Sequence, residues 1–569
     1  MICGDLSKAK IISDLSCAAP SSALSLHGKP GHWRIIDYET QAGLKGRLLH
    51  AGPETNAAPV SIPLNVHGWH AISIGFWPGH LWVDVHDPYG VWLKLTSDVN
   101  YVFGTPSPED STRNAIIQEC FWKYADIRKD DMLHIAQQVH GCARSASIAF
   151  IKLTPLREPE IESIKSDRAS KANRRMIVTN DGHGLFYGNR PTTAHEIEAV
   201  IEPLRHTDVG RLFWCLGAGG DVVTYNSHVG TMCGRDVSDF PRPGDRYLVE
   251  SMRDLRKRGI DPLKIACDYA HSIGIEFHVS VRMGAFAIFP PYDEVFTSPT
   301  YLQHPEWRCV DKDGTPVARL SYAFEGVRQR VRDLFREAIN YGVDGISLLY
   351  TRGAPFLLYE QPLLDGFAAE HGKDPRRLED HDQTWLRYRA GIMTDFIRSL
   401  RRELDQSGPA SSGKRREISA HVLNNAQNNL FYALDIETWI DEGLVDALVP
   451  CSWWKQDWQS GQFEDVDRAY YSNMCRGKKT KWYAAMSCWW DPKYSIEYAR
   501  QVYASGASGL CLWDHNGADH VWKWWRIISR LGHRDELAAL DPDDTGACHH
   551  ALVSVGGYRM DRYSAYWCY

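Results

Sequence analysis

The chain has 569 residues, 44% of them hydrophobic and 24% charged, with a formal charge of −7 and a mean hydropathy of −0.38. That balance leaves no basic surplus to bind phosphates and argues against a nucleic-acid partner, and no apolar stretch reaches the length of a membrane span. Met1 to Lys8 carry Asp5 and no sustained apolar run, which is not the pattern of a signal peptide, so a cytoplasmic location is expected.

The length predicts two or three domains. The 14 cysteines form no CxxC pair and no zinc-like spacing. Cys215, Cys451, Cys488 and Cys511 fall in or beside predicted buried strands, so they read as small core residues in a reducing compartment. Aromatic content is the outlier, with 21 Trp and 26 Tyr, and Trp-Trp pairs at predicted strand ends point beyond core packing.

Residues 1–27 are Ser/Ala-rich and read as an arm or a leading strand. From 28 to 156 the pattern is β. His70–Trp77 and Leu81–His86 alternate apolar and polar residues around Pro78-Gly79-His80, a hairpin signal, and Val91–Leu95 and Ala146–Leu153 alternate as well. An antiparallel β-sandwich is predicted. Residues 157–175 are charged, lack an apolar stripe and read as a linker or exposed helix.

From Met176 the rhythm becomes strand, helix, strand. Eight candidate strands follow, at 176–180, 211–216, 275–282, 344–350, 417–423, 445–450, 481–487 and 508–513. Thr192-Thr193-Ala194-His195-Glu196-Ile197-Glu198 starts with an N-cap signal and then an amphipathic run, and Val327, Val331, Leu334, Phe335 and Ala338 form a helical stripe. Eight such units over 176–535 predict an α/β fold, a (β/α)8 TIM barrel. Gly217-Ala218-Gly219-Gly220 lacks the GxGxxG spacing of a dinucleotide loop and reads as a turn. The tail, 536–569, is aromatic and is expected to pair with another element.

In such a barrel the C-terminal strand ends converge on one face, where chemistry sits. Strand one delivers Asp181. Strand three buries His278, which reads as a core residue, and places Arg282 at its mouth, where it needs an anionic or hydrogen-bonding partner. The loop after strand four carries Arg352 and then Glu360 between apolar neighbours, a setting for a raised pKa. Strand five leads to His421 and Asn425. Strands six to eight deliver Trp453 and Trp454, then Trp489, Trp490 and Asp491, then Asp514 and His515. Tryptophan faces stack on sugar rings, and paired carboxylates cut glycosidic bonds.

Gly326-Val327-Arg328 through Tyr341-Gly342-Val343-Asp344-Gly345-Ile346 resembles the helix–strand unit of family 10-like glycoside hydrolase domains. Asn180-Asp181-Gly182 and Leu512-Trp513-Asp514 are similar to strand ends of that group. The resemblance spans about 175–535 and implies a TIM barrel that cleaves glycosidic bonds without an organic cofactor. Ser347-Leu348-Leu349-Tyr350 has no acid where many barrel glycosidases carry one, which moves attention to Glu360 and Asp514.

The leading expectation is therefore a glycoside hydrolase with Glu360, Asp514, Asp181 and Asp491 as candidate acids. Arg282, Arg352, His421, Asn425 and His515 would hold the sugar, with Trp453, Trp454, Trp489 and Trp490 as stacking walls. No cofactor and no metal are expected. The expected partner is a carbohydrate substrate, with no nucleic acid or membrane, and homo-oligomerisation stays open. Two alternatives stand beside it: a non-catalytic carbohydrate-binding barrel, and a metal-dependent barrel hydrolase using Asp181, His183, His421 and Asp514.

Overall fold

The computed structural model describes residues 4–77, 90–106, 115–139, 145–188, 190–240, 242–451, 465–487, 490–513, 522–542 and 547–560. Its centre is a closed barrel of eight parallel strands: β1 (Met176–Asn180), β2 (Val209–Cys215), β3 (Glu276–Arg282), β4 (Gly345–Leu349), β5 (Glu417–Val422), β6 (Ala447–Pro450), β7 (Lys481–Ser487) and β8 (Gly509–Trp513). All eight predicted strands are present. Each is a nearly continuous buried run, as expected of parallel strands covered on both faces. β8 pairs back to β1 through Met176–Leu510, Ile177–Cys511 and Val178–Leu512, which closes the sheet.

Helices lie between the strands. The helix Glu325–Ile339 buries Val327, Val331, Leu334, Phe335 and Ala338, the stripe read from the sequence. Thr193 caps Ala194–Ile201, and its side chain accepts the Glu196 N–H in a capping box. The barrel floor is polar. Arg211 on β2 reaches Glu276 at 3.1 Å and Glu417 at 3.0 Å, and it donates to the Tyr483 hydroxyl at 3.3 Å. This charged layer stiffens the end opposite the mouth.

The N-terminal region is built of antiparallel sheets. Among the described residues one sheet has ten strands and the other four. The small sheet runs Val60–Pro63, Met132–Ala136, Val91–Leu95, Val102–Gly104. Ile62, Leu93 and Leu133 of this sheet share one apolar core with Leu49, Ile72, Ile74 and Ile151 of the large one. That is the predicted sandwich. The Pro78-Gly79-His80 turn and the strand after it lie outside the described residues.

The two ends of the chain complete the large sheet. Lys10–Ile12 pairs with Phe150–Pro155, so the expected arm is partly strand. Ala547–Val555, from the tail, sits between Ile116–Ile127 and Trp33–Thr40 and pairs with both. The segment read as a linker or exposed helix contains the helix Glu158–Ala169, which buries Ile164 alone. Acidic residues in its first turn and Arg168 in its last suit the helix dipole. No helix among the described residues is long and apolar enough to cross a membrane.

Candidate active site at the barrel mouth

A narrow cavity of about 20 Å³ opens among the C-terminal strand ends. Asp181 borders it from the end of β1, Cys215 from β2, Ser280 and Arg282 from β3, Arg352 from the loop after β4, His421 from β5 and Trp513 from β8. Residues two apart on one strand share a face, so Ser280 and Arg282 both point inward. That alternation explains why Phe213, Cys215 and Ser280 belong to the site, although no motif marks them.

Asp181 stands where a tight turn leaves β1. Its Oδ1 accepts the N–H groups of His183 at 3.1 Å and Gly184 at 2.7 Å. The Asn180 side chain accepts the Gly182 N–H at 2.8 Å. Gly182 has φ +70°, and a Cβ there would lie 1.8 Å from the Cys215 carbonyl oxygen, so only glycine fits. Asp181 thus closes its own turn and borders the cavity at once. Burial would raise its pKa, but His183, Arg282 and the two backbone N–H groups outweigh burial and hold the carboxyl low.

His183 donates from Nδ1 to the Asp181 carbonyl at 2.9 Å. A carbonyl only accepts, so the ring proton sits on Nδ1 and Nε2 keeps its lone pair. Burial pushes this imidazole down, with Arg282 and Arg352 adding to the effect. It is therefore neutral beside an ionised Asp181. Arg282 donates to the Ala218 carbonyl at 2.8 Å, which ties the Gly217–Gly220 turn to β3. Arg352 lies 5.4 Å from the Trp513 ring centre, a cation–π contact. His421 meets that ring edge-on at 5.5 Å, and burial pushes its pKa down to about 3. His278 lies deeper, stacked on Phe213 at 5.0 Å. It is a core residue, as read, but neither ring nitrogen has a hydrogen-bond partner.

Several candidates are placed elsewhere. Glu360 is fully buried. Its carboxylate accepts N–H groups from Val310 at 3.0 Å and Leu358 at 3.0 Å, which fastens the hairpin Arg308–Leu320 to the loop before the helix Gln361–His371. Burial does raise its pKa, as expected, but backbone donors rather than a substrate face it. Glu360 thus stands apart from the cavity and holds the hairpin to the loop. Asp491 is exposed and caps the helix Pro492–Ala504 through the Tyr494 N–H at 2.9 Å. Asn425 caps Ala426–Phe431, accepting the Asn428 N–H at 2.8 Å. Trp490 packs edge-on against Tyr494 and Tyr498 at 4.7 and 5.0 Å, on the core side, and is not a wall of the cavity. Trp453, Trp454, Trp489, Asp514 and His515 lie outside the described residues.

Asp221 and Tyr225, on the long loop after β2, do not border the cavity. Asp221 is buried and meets Arg330 at 2.7 Å and Thr300 at 2.7 Å. The Tyr225 hydroxyl donates to Glu337 at 2.7 Å. These residues anchor the loop to the helix Glu325–Ile339. Among the described residues Asp181, His183 and His421 do not converge as a metal ligand set; Glu119, Cys548 and His550, in the sandwich, do.

Residues 244–489, which contain β3 to β7, match the family model described as glycosyl hydrolase-like 10. Arg282, Arg352 and His421 lie inside the matched span, and Asp181 and Trp513 outside it. No curated protein matches the chain. Among solved structures it is similar to alpha-L-fucosidase isoenzyme 2 from Paenibacillus thiaminolyticus, at 14% identity and TM-score 0.41, over 64% of this chain and 49% of that one. The chain thus spans about half the length of that fucosidase. It is also similar to the catalytic domain of beta-amylase from Paenibacillus polymyxa, at 10% identity and TM-score 0.41, covering 63% and 99%. Alpha-galactosidase from Thermus thermophilus matches at 11% identity and TM-score 0.35, covering 89% and 95%.

Proposed function

We propose that the chain is a glycoside hydrolase that cleaves its bond at the barrel mouth, with Asp181 as the ionised carboxylate and Asp514 as the proton donor. The observation that carries this reading is Asp181 itself. It is an inward carboxylate at the end of β1, held ionised beside Arg282 and a neutral His183, in a barrel whose β3–β7 span matches glycosyl hydrolase-like 10. An ionised acid serves as nucleophile or as base toward water, and the departing oxygen then needs a second, protonated acid. Asp514 follows Trp513, whose ring borders the same cavity. Arg282 and Arg352 supply donors for sugar hydroxyls or a carboxylate, and the Trp513 face supplies stacking.

The test is turnover of a panel of aryl glycosides and oligosaccharides by the full chain. Asp181→Asn and Asp514→Asn each lower turnover by about a hundredfold or more, with far-UV dichroism unchanged. Full activity in either variant rejects that residue's role.

One observation favours a second reading, a carbohydrate-binding barrel without turnover. The cavity wall at β4 is Leu349, an apolar residue, where many barrel glycosidases carry an acid. Binding of a glycan with no hydrolysis across the panel selects that reading.

A further inference from the structure

The strand Ala547–Val555 runs antiparallel to Ile116–Ile127, with Cys548 opposite Glu119 and His550 opposite Ile117. Cys548 and His550 are two apart and so share a face, and Glu119 shares it through the pairing. Their ligand atoms meet there. Cys548 Sγ lies 3.5 Å from His550 Nε2, and His550 Nε2 lies 2.9 Å from Glu119 Oε2. All three lie within 4.8 Å of one another. A tetrahedral zinc ion holds such atoms about 3.4–3.6 Å apart, given its bond lengths of about 2.0–2.3 Å. The sulfur–nitrogen spacing already fits, and the nitrogen–oxygen pair needs to open by about half an ångström.

We propose that Glu119, Cys548 and His550 form a binding site for a zinc-class divalent cation, separate from the barrel mouth, that fastens the strand Ala547–Val555 into the sandwich. Thiolate, imidazole and carboxylate together suit zinc better than the harder magnesium or calcium. The outer contacts are in place. Lys152 donates to Glu119 Oε1 at 2.9 Å, which leaves Oε2 turned toward His550. The Phe150 ring meets the His550 ring edge-on at 5.4 Å and holds its plane. Such partners orient the ligands of natural metal sites. Glu119 is almost fully buried, while Cys548 is exposed, so the ion enters from the Cys548 side. Binding releases the Nε2 proton of His550 and the thiol proton of Cys548 to solvent, and a water fills the fourth position. The ligands come from positions 431 residues apart. The ion therefore ties together strands that lie on either side of the whole barrel in sequence.

The experiment uses the full chain, stripped with chelator and titrated with cobalt(II) and zinc(II). Cobalt is expected to bind one to one with a thiolate-to-cobalt charge-transfer band in the near ultraviolet, and zinc to displace it and raise the thermal midpoint. Cys548→Ser, an exposed change that leaves the fold intact, is expected to abolish both the band and the zinc-dependent rise. His550→Gln and Glu119→Gln are expected to weaken binding tenfold or more. Absence of the band at saturating cobalt, its persistence in Cys548→Ser, or unchanged affinity in His550→Gln overturns the proposal.

Discussion

Asp181 and Glu360 show how environment assigns roles to two carboxyl groups of one barrel. Asp181 faces two cationic or polar side chains at an open mouth, and its pKa lies below the ordinary 3.8. A pH–rate profile whose acid limb reports Asp181 therefore falls off below pH 3.8, and the ionised form persists at every higher pH. His421, at about 3, stays neutral throughout the working range and contributes no limb near 6.5. An acid limb at ordinary Asp values or above, absent in Asp181→Asn, would contradict this assignment. Glu360 faces backbone N–H groups. Glu360→Gln is expected to lose about 1–2 kcal/mol in urea unfolding, because its amide presents a donor where an acceptor is needed, while turnover per folded molecule stays at the parent level. Sequence alone read its apolar neighbours correctly as a cause of a raised pKa. It could not show that the carboxyl points at a hairpin some 50 positions upstream rather than at the mouth. Asp491 and Asn425 were legible only as polar residues after strands; their capping geometry depends on where the next helix begins.

At the scale of elements, all eight barrel strands were legible, because buried parallel strands are short apolar runs and little else in the chain has that form. The stripe on Glu325–Ile339 was legible for the same reason. The helix Glu158–Ala169 was legible only as a linker or exposed helix, since it buries a single residue. Asp167 from that helix and Asp208 from the edge of β2 close on His533, which donates to each at 2.7 Å, and Arg530 meets Asp167 at 2.8 Å. Burial alone would lower the His533 pKa, but the two carboxylates outweigh it and push it up to about 9. A raised pKa means that the charged form stabilises the fold. The contribution is full below about pH 6.5 and is lost as pH rises through about 9. His533→Gln is expected to cost about 3 kcal/mol near pH 6. Urea titrations of parent and variant should converge as the pH approaches 9 and beyond; a constant gap across that window would refute the clamp.

At the scale of the molecule, the barrel and the sandwich were both foreseen, and the tail was expected to pair with another element, but its place inside the large sheet was not legible. Ala547–Val555 reads Ala-Cys-His-His-Ala-Leu-Val-Ser-Val, which has no clean alternation, and it lies beyond the barrel in sequence. Its place between Ile116–Ile127 and Trp33–Thr40 comes from long-range pairing, which local pattern does not encode. Removing residues 541–569 is expected to leave two unpaired edges in the large sheet. The truncated chain should lose the sandwich's cooperative unfolding transition and aggregate, as read by light scattering. A soluble truncation with two intact transitions would refute this.

Because that inner strand is synthesised after the whole barrel, the ribosome emits the rest of the large sheet long before this piece exists. The early strands must wait, edges open, while the whole barrel is made. Proteins built this way carry a check on their own completeness: a nascent chain released anywhere within the barrel cannot finish the sheet it started with. A premature stop within the barrel is therefore expected to yield material for chaperones and proteases rather than a free-standing folded sandwich.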